Sequence, residues 1–425
     1  MPDFRTHMNG YRCIACAAGQ AADFAGFQCP ECGGNLDIRY DYDAAARELA
    51  GGFGDRAGGI FRYRALLPVN EPAAGFPLRV GATPLYHAAR LGRQAGLQRL
   101  YLKDDSSNPS ASFKDRASVT ALCRAQATGA AVVATASTGN AGSSMACLAA
   151  ALGLDAVVFV PERAPPAKLA QLRAYGARVL AVLGNYDAAF DLCLAATDAF
   201  GWYNRSTGFN PFTREGKKTC AFEIWEDLGG EVPDRVVVPT GDGNIISGIW
   251  KGWQDLLAVG LVDRLPRIDC VQSALSAAVC RTVHRLRASG QVVEDWSRVR
   301  VEAVEAATAA DSICVDRPRD GLAGVRAVLE SGGAAVTVEE NEIAEAAIEM
   351  ARLAGVFPEP AAAVPWAAVK RMAGSGSIDK EETVVCLVTG SGLKDVAGAS
   401  RAAPEPVVVE AGLEAVERAV RGEAR

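Results

Sequence analysis

The sequence predicts an α/β protein: two domains, each built on a parallel sheet with helices on both faces, behind a small cysteine-rich N-terminal module. Three observations carry this reading. From about residue 60, short β-branched runs alternate with alanine-rich helical stretches. Those runs are continuously apolar, as the strands of a doubly covered parallel sheet are. The chain has 425 residues, 49% of them hydrophobic, enough for two or three domains with sizeable cores.

The elements follow in order. Cys13-x2-Cys16 and Cys29-x2-Cys32 are separated by twelve residues. Each pair places two sulfurs on one tight turn, and two such turns close a tetrahedral thiolate site. The second turn, CPECGG, has the Pro and Gly that let backbone N–H groups approach the sulfurs. Residues 1–40 are expected to form a zinc ribbon, with iron or four reduced thiols as the alternatives. Four thiolates leave no open coordination position, so the role expected is structural. VNEPAAGFPLRVGATP (69–84) reads as the linker into the main body.

Strand–helix pairs then repeat. AVVATAS (131–137) precedes TGNAGSSMACLAAALG, and DAVVFVP (155–161) precedes PPAKLAQLRAYG. ARVLAVLG (177–184) precedes a helix near 186–200, and DRVVVPT (234–240) precedes GDGNIISGIWKGWQDLL. RIDCVQS (267–273) precedes a helix near 276–288, and ETVVCLVTG (382–390) is the last strand. GSGSIDKEE (374–382) is a polar loop, and ASRAAPEPVV (399–408) is a linker to a terminal helix. In that helix Leu413, Val416 and Val420 form one apolar stripe, expected to dock on the body or on a partner subunit.

Composition narrows the function. Eight of the twelve cysteines lie singly in apolar segments and read as small core hydrophobes. A large chain without a secretion signal rarely depends on disulfides. The start lacks the apolar core of a signal peptide, and no apolar run is long enough to span a bilayer. A net charge of -6 argues against a chain-wide nucleic-acid footprint. A soluble cytoplasmic protein with neither nucleic-acid nor membrane partners is expected. The three histidines, His7, His87 and His284, fall in no zincin motif and beside no nucleophile elbow. A lysine or a cofactor is the better candidate for chemistry.

Three strands end in glycine-rich turns: STGNAG (137–142), TGDGNIISG (240–248) and TGSG (389–392). Ligands of parallel α/β sheets bind at the carboxyl ends of strands. Glycines there free backbone N–H groups for an anion, and the following helix adds its positive end. The 240–248 loop is the best phosphate cradle. No G-x-G-x-x-G lies between strand and helix, which argues against a dinucleotide fold. REGKKT (214–219) resembles the end of a Walker A loop, but Pro211 stands where its first Gly is required. In NPSASFKDR (108–116), Lys114 follows Phe113 and a run of small residues. Partial burial there would lower its pKa and free the amine to attack a carbonyl. Pyridoxal phosphate offers an aldehyde for such a lysine and a phosphate for such a loop.

NPSASFKDRA, STGNAG, TGDGNIISG and TGSGLKD, in that order, strongly resemble the motifs of the tryptophan-synthase-β class (fold type II) of pyridoxal-phosphate enzymes. GATPL (81–85) and EPAAA (359–363) also fit. Within the class, the cysteine module, NPFTREGKKTCAFEI (210–224) and TGSGLKD resemble the threonine synthase-like family. The resemblance implies a zinc ribbon over 1–40, a large domain from 60–100 and 215–425, and a small domain over 101–214. It implies that Lys114, behind Phe113, forms the Schiff base and shuttles protons. Asn140 would bond the ring oxygen, and Gly241, Asp242, Gly243, Asn244 and Ile245 would offer N–H groups to the cofactor phosphate. Thr389 would meet the pyridine nitrogen, and Ser137, Thr138 and Asn140 at the start of the next helix would hold the substrate. Cys13, Cys16, Cys29 and Cys32 would hold structural zinc. The implied partner is a small amino-acid substrate and the implied assembly a homodimer.

The best single reading is conversion of O-phospho-L-homoserine and water to L-threonine and phosphate. The alternative is a related β-elimination or β-replacement, of the threonine/serine dehydratase, cysteate synthase or diaminopropionate lyase type. One region motivates it. The family pattern places an arginine two residues before Glu215, where this chain has Thr213 followed by Arg214. Thr207 and Gly208 stand where Asn-Ser is expected, and Ala141 where Thr is. Arg205, Arg214 and Lys217 remain to supply charge to a leaving group.

Overall fold

A computed structural model describes residues 6–164, 166–396, 398–399 and 403–422. Residues 1–5 of the expected ribbon, and 400–402 of the predicted linker, lie outside them. The N-terminal module is a small antiparallel sheet of β1 (Met8–Cys13), β2 (Gly19–Gln20) and β3 (Leu36–Tyr40), in the order β2-β1-β3. Its inner face, Tyr11, Leu36, Ile38 and Tyr40, is buried in the core shared with the main body. Helix α1 (Tyr42–Glu48) follows, N-capped by the Asp41 carboxylate, which accepts the Ala44 N–H.

The main body begins with β4 (Leu85–His87), α2 (Ala89–Gln94) and β5 (Arg99–Asp104). The chain then builds a second sheet through α3 (Lys114–Ala127), β6 (Val132–Ala136), α4 (Asn140–Leu152), β7 (Asp155–Pro161), α5 (Pro166–Ala174), β8 (Arg178–Val182), α6 (Tyr186–Phe200) and β9 (Tyr203–Asn204). It returns by α7 (Phe212–Asp227), β10 (Arg235–Pro239), α8 (Asn244–Ala258), β11 (Arg267–Ser273), α9 (Ala278–Ala288), α10 (Gly321–Ser331), β12 (Ala335–Val338), α11 (Glu340–Ala354), α12 (Pro360–Gly374) and β13 (Thr383–Val388). The larger sheet has the order β12-β11-β10-β13-β5-β4, parallel except for the edge strand β4. The smaller has the order β8-β7-β6-β9 and is parallel throughout.

Both faces of each sheet are covered, which is why the strands are continuously apolar. Val236, Val238 and Cys270 pack under α7, α8, α9 and α10, while their neighbours Val237 and Val271 pack under α11 and α12. Val158 and Val160 face α3 and α4, while Val157 and Phe159 face α6. Strand β5 runs across the boundary expected at residue 101 and pairs in the larger sheet, where Leu100 and Leu102 are buried. Seven of the eight scattered cysteines are buried core residues; Cys314 is only partly buried. The stripe of the terminal helix α13 (Leu413–Val420) does not dock on the body: Leu413 is 88% and Val420 82% exposed.

The two sheets are locked together by one buried cation. Arg116 of α3 meets Asp105, just after β5, at 2.6 Å and Glu223 of α7 at 2.7 Å. It also donates to Thr83 and Thr219. Lys103 of β5 joins Glu223 at 2.9 Å, and Glu223 accepts the Ala82 N–H at 2.8 Å. Arg116, Asp105 and Glu223 are at most 1% exposed. Removing Arg116 leaves Asp105 buried without its cation and Glu223 with Lys103 alone. Arg116→Ala is therefore expected to destabilise the fold by about 3–5 kcal/mol, read from the urea unfolding midpoint.

Candidate active site

All three glycine-rich turns meet the start of α3 at one cavity of about 480 Å³. Its walls include Phe113, Lys114, Ser137, Thr138, Asn140, Gly241, Asp242, Gly243, Ile245, Glu359 and Thr389. The turns follow β6, β10 and β13, so the cavity lies at the carboxyl ends of strands from both sheets.

Lys114 opens α3, and the turn before it is held on every side. Asp115 accepts the Ser110 N–H at 2.7 Å, and the Asn108 side-chain oxygen accepts the Gly81 N–H at 2.9 Å. Phe113 N–H donates to the Thr389 carbonyl at 2.9 Å, and Ser391 N–H to that of Ala111 at 3.2 Å. Ala111 lies at φ +61, a left-handed conformation that costs a non-glycine residue about 1–2 kcal/mol. These bonds hold it there, and strain of this kind collects at functional sites. Burial pushes the Lys114 ammonium toward its neutral form; Asp242 opposes this and Arg205 adds to it.

Helices α3, α4 and α8 all begin at this cavity, and none has a side-chain N-cap. Uncapped first turns are anion sites, because their leading N–H groups have no partner inside the helix. Gly243 sits at φ +91, and a Cβ there would lie 2.5 Å from the Asp320 carbonyl. Asp242 turns its carboxylate back onto the Asn244 N–H at 3.1 Å. Burial alone would raise the Asp242 carboxyl, but Lys114, Lys217 and that N–H hold it below its ordinary value.

Asn140, the first residue of α4, donates its amide to Glu359 at 2.9 Å and to the Ser312 hydroxyl at 3.1 Å. Glu359 opens α12 and is 5% exposed; burial raises its carboxyl, against the Asn140 bond. Ser137 accepts the Gly139 N–H at 3.2 Å. Asn244 has turned away from the cavity, its amide on Asp320 at 2.8 Å. Glu359, Ser312, Tyr186 and Arg319 also line the cavity and were not among the expected site residues. Only Glu359 carries a sequence signal, the EPAAA run; Tyr186 opens the expected helix α6 without a motif, and Ser312 and Arg319 lie in the irregular stretch before α10.

The three cations near residues 205–217 part company. Arg214 is spent on structure: it meets Asp320 at 2.6 Å, Asp37 at 3.1 Å and Ser247 at 3.1 Å. Arg205 and Lys217 are wholly buried behind the cavity wall. Arg205 donates to Thr207, which lines the cavity, and Lys217 to the Asn244 side-chain oxygen.

In the N-terminal module the sulfurs of Cys13, Cys16, Cys29 and Cys32 all lie within 4.8 Å of one another. Positive φ at Ala17 (+64) and Gly33 (+69) folds the two turns that bring them together. The set has four soft ligands and no open position, which fits a structural zinc. Asn35, beside this cluster, donates to Asp320 at 2.9 Å, so the module bears on the residue that also receives Arg214 and Asn244.

Comparison with known proteins agrees with this geometry. Residues 77–390 match the model of the family described as pyridoxal-phosphate dependent enzyme. The chain is 36% identical over 414 residues to the threonine synthase of Methanocaldococcus jannaschii, covering 96% of this chain and 99% of that one. It is 33% identical over 416 residues to that of Methanosarcina acetivorans, covering 97% and 99%. The processed form of threonine deaminase isoform 2 from Solanum lycopersicum superposes with a TM-score of 0.64 at 21% identity, covering 76% of this chain and 88% of that one. At that identity the superposition speaks for the fold, the fold type II arrangement expected from the motifs. The chain belongs to the threonine synthase family of pyridoxal-phosphate-dependent enzymes.

Proposed function

We propose that this protein converts O-phospho-L-homoserine and water to L-threonine and phosphate, in the cytoplasm and as a homodimer. The observation that carries the reading is identity of 36% along 96% of the chain with a protein named threonine synthase. The cavity supports it: a buried lysine, the starts of α3, α4 and α8, and Thr389 after β13 line one cavity. The finer divisions are part of the same proposal, with a zinc ribbon over 1–40, a small domain over 101–214 and a large domain from 60–100 and 215–425, strand β5 (Arg99–Asp104) pairing in the larger sheet.

The cofactor, when bound, supplies an electron sink for charge developing at the substrate α-carbon. The residues of this chain do the rest. Lys114 would hold the cofactor through its amine and, pushed toward its neutral form by burial, move the α-proton. Phe113 closes the apolar side of that amine. The N–H groups of Gly241, Asp242, Gly243, Asn244 and Ile245 bind the cofactor phosphate. Asn140, oriented by Glu359, bonds the ring oxygen. Thr389 offers the pyridine nitrogen a hydroxyl, which does not enforce a protonated ring and so favours elimination and replacement over transamination. Ser137, Thr138 and the start of α4 take the substrate carboxylate. The second reading, elimination with release of ammonia, draws on the commitment of Arg214 to Asp320, which leaves the expected phosphate arginine out of the cavity.

A substrate panel separates the two. Phosphate and threonine from phosphohomoserine support the proposal, whereas ammonia and a keto acid from threonine or serine would replace it. Lys114→Ala is expected to abolish turnover and the visible cofactor absorbance; a variant that keeps both ends the assignment of Lys114. Gly243→Ala, at +91, is expected to cost about 1–3 kcal/mol, or roughly one to two decades of cofactor affinity by fluorescence titration. Stripping metal with a chelator should lower the thermal midpoint while the remaining folded enzyme keeps its turnover per cofactor; loss of turnover in a folded protein would make the cysteine site more than structural.

A further inference from the structure

We propose that Lys217 and Arg205 form a basic layer behind the 240–245 loop that favours a phosphate monoester in this cavity. The inference rests on reading that loop as a phosphate cradle, and goes beyond it by assigning the charge that selects the ligand.

Both side chains are 0% exposed. Among the described residues neither has an ion-pair partner. Arg205 spends its guanidinium on the hydroxyls of Ser118 (3.0 Å) and Thr207 (2.8 Å) and on the Lys114 carbonyl (3.5 Å). Lys217 donates to the side-chain oxygen of Asn244, the first residue of α8. A buried cation held only by neutral oxygens is costly unless an anion completes it. Such a pair beside one cavity is a site waiting for negative charge.

Lys217, Arg205 and Lys114 act on one another and on Asp242. Of the other nearby acids, Asp320 is paired with Arg214, while Asp115 and Glu359 accept from the neutral Ser110 and Asn140. Among the described residues Lys217 and Arg205 thus stand near carboxylates without a direct ion pair, and a phosphate monoester on the 240–245 loop would add the anion they lack. Burial drives Lys217 strongly toward its neutral form, and the positive charges of Lys114 and Arg205 push the same way. The start of α8, whose first N–H is taken by the Asp242 carboxylate, lies at the same end of the loop.

Lys217 reaches this position because α7 lies unusually close to α8. A Cβ on Gly248 would fall 2.9 Å from the Lys217 Cβ and 3.2 Å from the Arg214 carbonyl. Lys217 acts on the ligand through the loop and its field, so it is a positioning residue.

Two phosphates are available to such a layer, that of the cofactor and that of the leaving group, and the test separates them. In the full-length holoenzyme, affinities for pyridoxal phosphate and pyridoxal are measured for wild type, Lys217→Gln, Lys217→Arg and Arg205→Gln. Phosphorus NMR of the bound cofactor and KM for phosphohomoserine are recorded alongside. For the cofactor phosphate, Lys217→Gln is expected to cut the preference for pyridoxal phosphate over pyridoxal by about tenfold to a hundredfold. The bound phosphorus resonance should shift, and Lys217→Arg should restore both. For the leaving group, that preference stays and KM rises by a similar factor with kcat held. Equal preference, resonance and KM in wild type and both glutamine variants overturns the inference. A wild type that does not distinguish pyridoxal phosphate from pyridoxal overturns the cradle reading instead. Arg205→Gln keeps the test open if Lys217→Gln fails to fold.

Discussion

The placement of Lys114 depends on a salt bridge two residues away. Arg116 can leave water only because Asp105 and Glu223 flank it and Thr83 and Thr219 take its remaining donors. Those partners come from the end of β5, from α7 and from the turn at 81–83. The register of α3 against the larger sheet is therefore fixed by charge geometry rather than by apolar packing alone. Buried ion pairs add little to stability compared with a packed apolar set, but they tolerate few alternative arrangements. A lysine on the first turn of α3 inherits that intolerance. The strained turn at Ala111 follows from the same constraint, because the chain must leave Asp105 and enter a helix whose third residue is already fixed.

Glycines make this density of charge possible. Gly216 of α7 faces α3 so closely that a Cβ would overlap the Arg116 carbonyl. Gly248 and Gly252 do the same for α8 against α7. Three helices bearing Lys114, Lys217 and the start of the 240–248 loop can thus converge with little side chain between them. The charged residues then meet one another instead of water, so their protonation states are coupled to whatever fills the cavity. The glycines of REGKKT and NIISGIWKG are spacing elements, while only Gly241 and Gly243 belong to the loop itself.

Much of this was legible in the sequence where a local rule operates. Cysteine spacing, glycine-rich strand ends and apolar strand runs each follow from chemistry within a few residues, and the structure puts all three turns on one cavity. Features that depend on distant partners were not legible. Strand β5, RLYLKD, is short and carries Lys103, whose burial makes sense only once Glu223 and Asp227 stand beside it. Glu359 reads as a helix N-terminus followed by proline; its contact with Asn140 spans 219 residues. The stripe of α13 reads as a docking face for the body or a partner subunit, and within this chain Leu413 and Val420 stay exposed.

Arg214 shows how one sequence departure acquires a physical meaning. A shift of one residue along a helix rotates a side chain by about 100°, enough to move it from a cavity wall to the opposite packing face. There Arg214 finds Asp320 and Asp37, and so ties the 240–248 loop to the N-terminal module through the same carboxylate that Asn35 and Asn244 approach. The preceding position holds Thr213, wholly buried and not on the cavity wall, whose hydroxyl donates to the Asn210 carbonyl at 2.7 Å. Arg214 is thus a tether, and the next cation along α7 is Lys217, which donates to the Asn244 side-chain oxygen. Thr213 and Lys217 are four residues apart on one helix and lie on the same face. The positive charge on this stretch of α7 therefore lies behind the cavity wall and not on it.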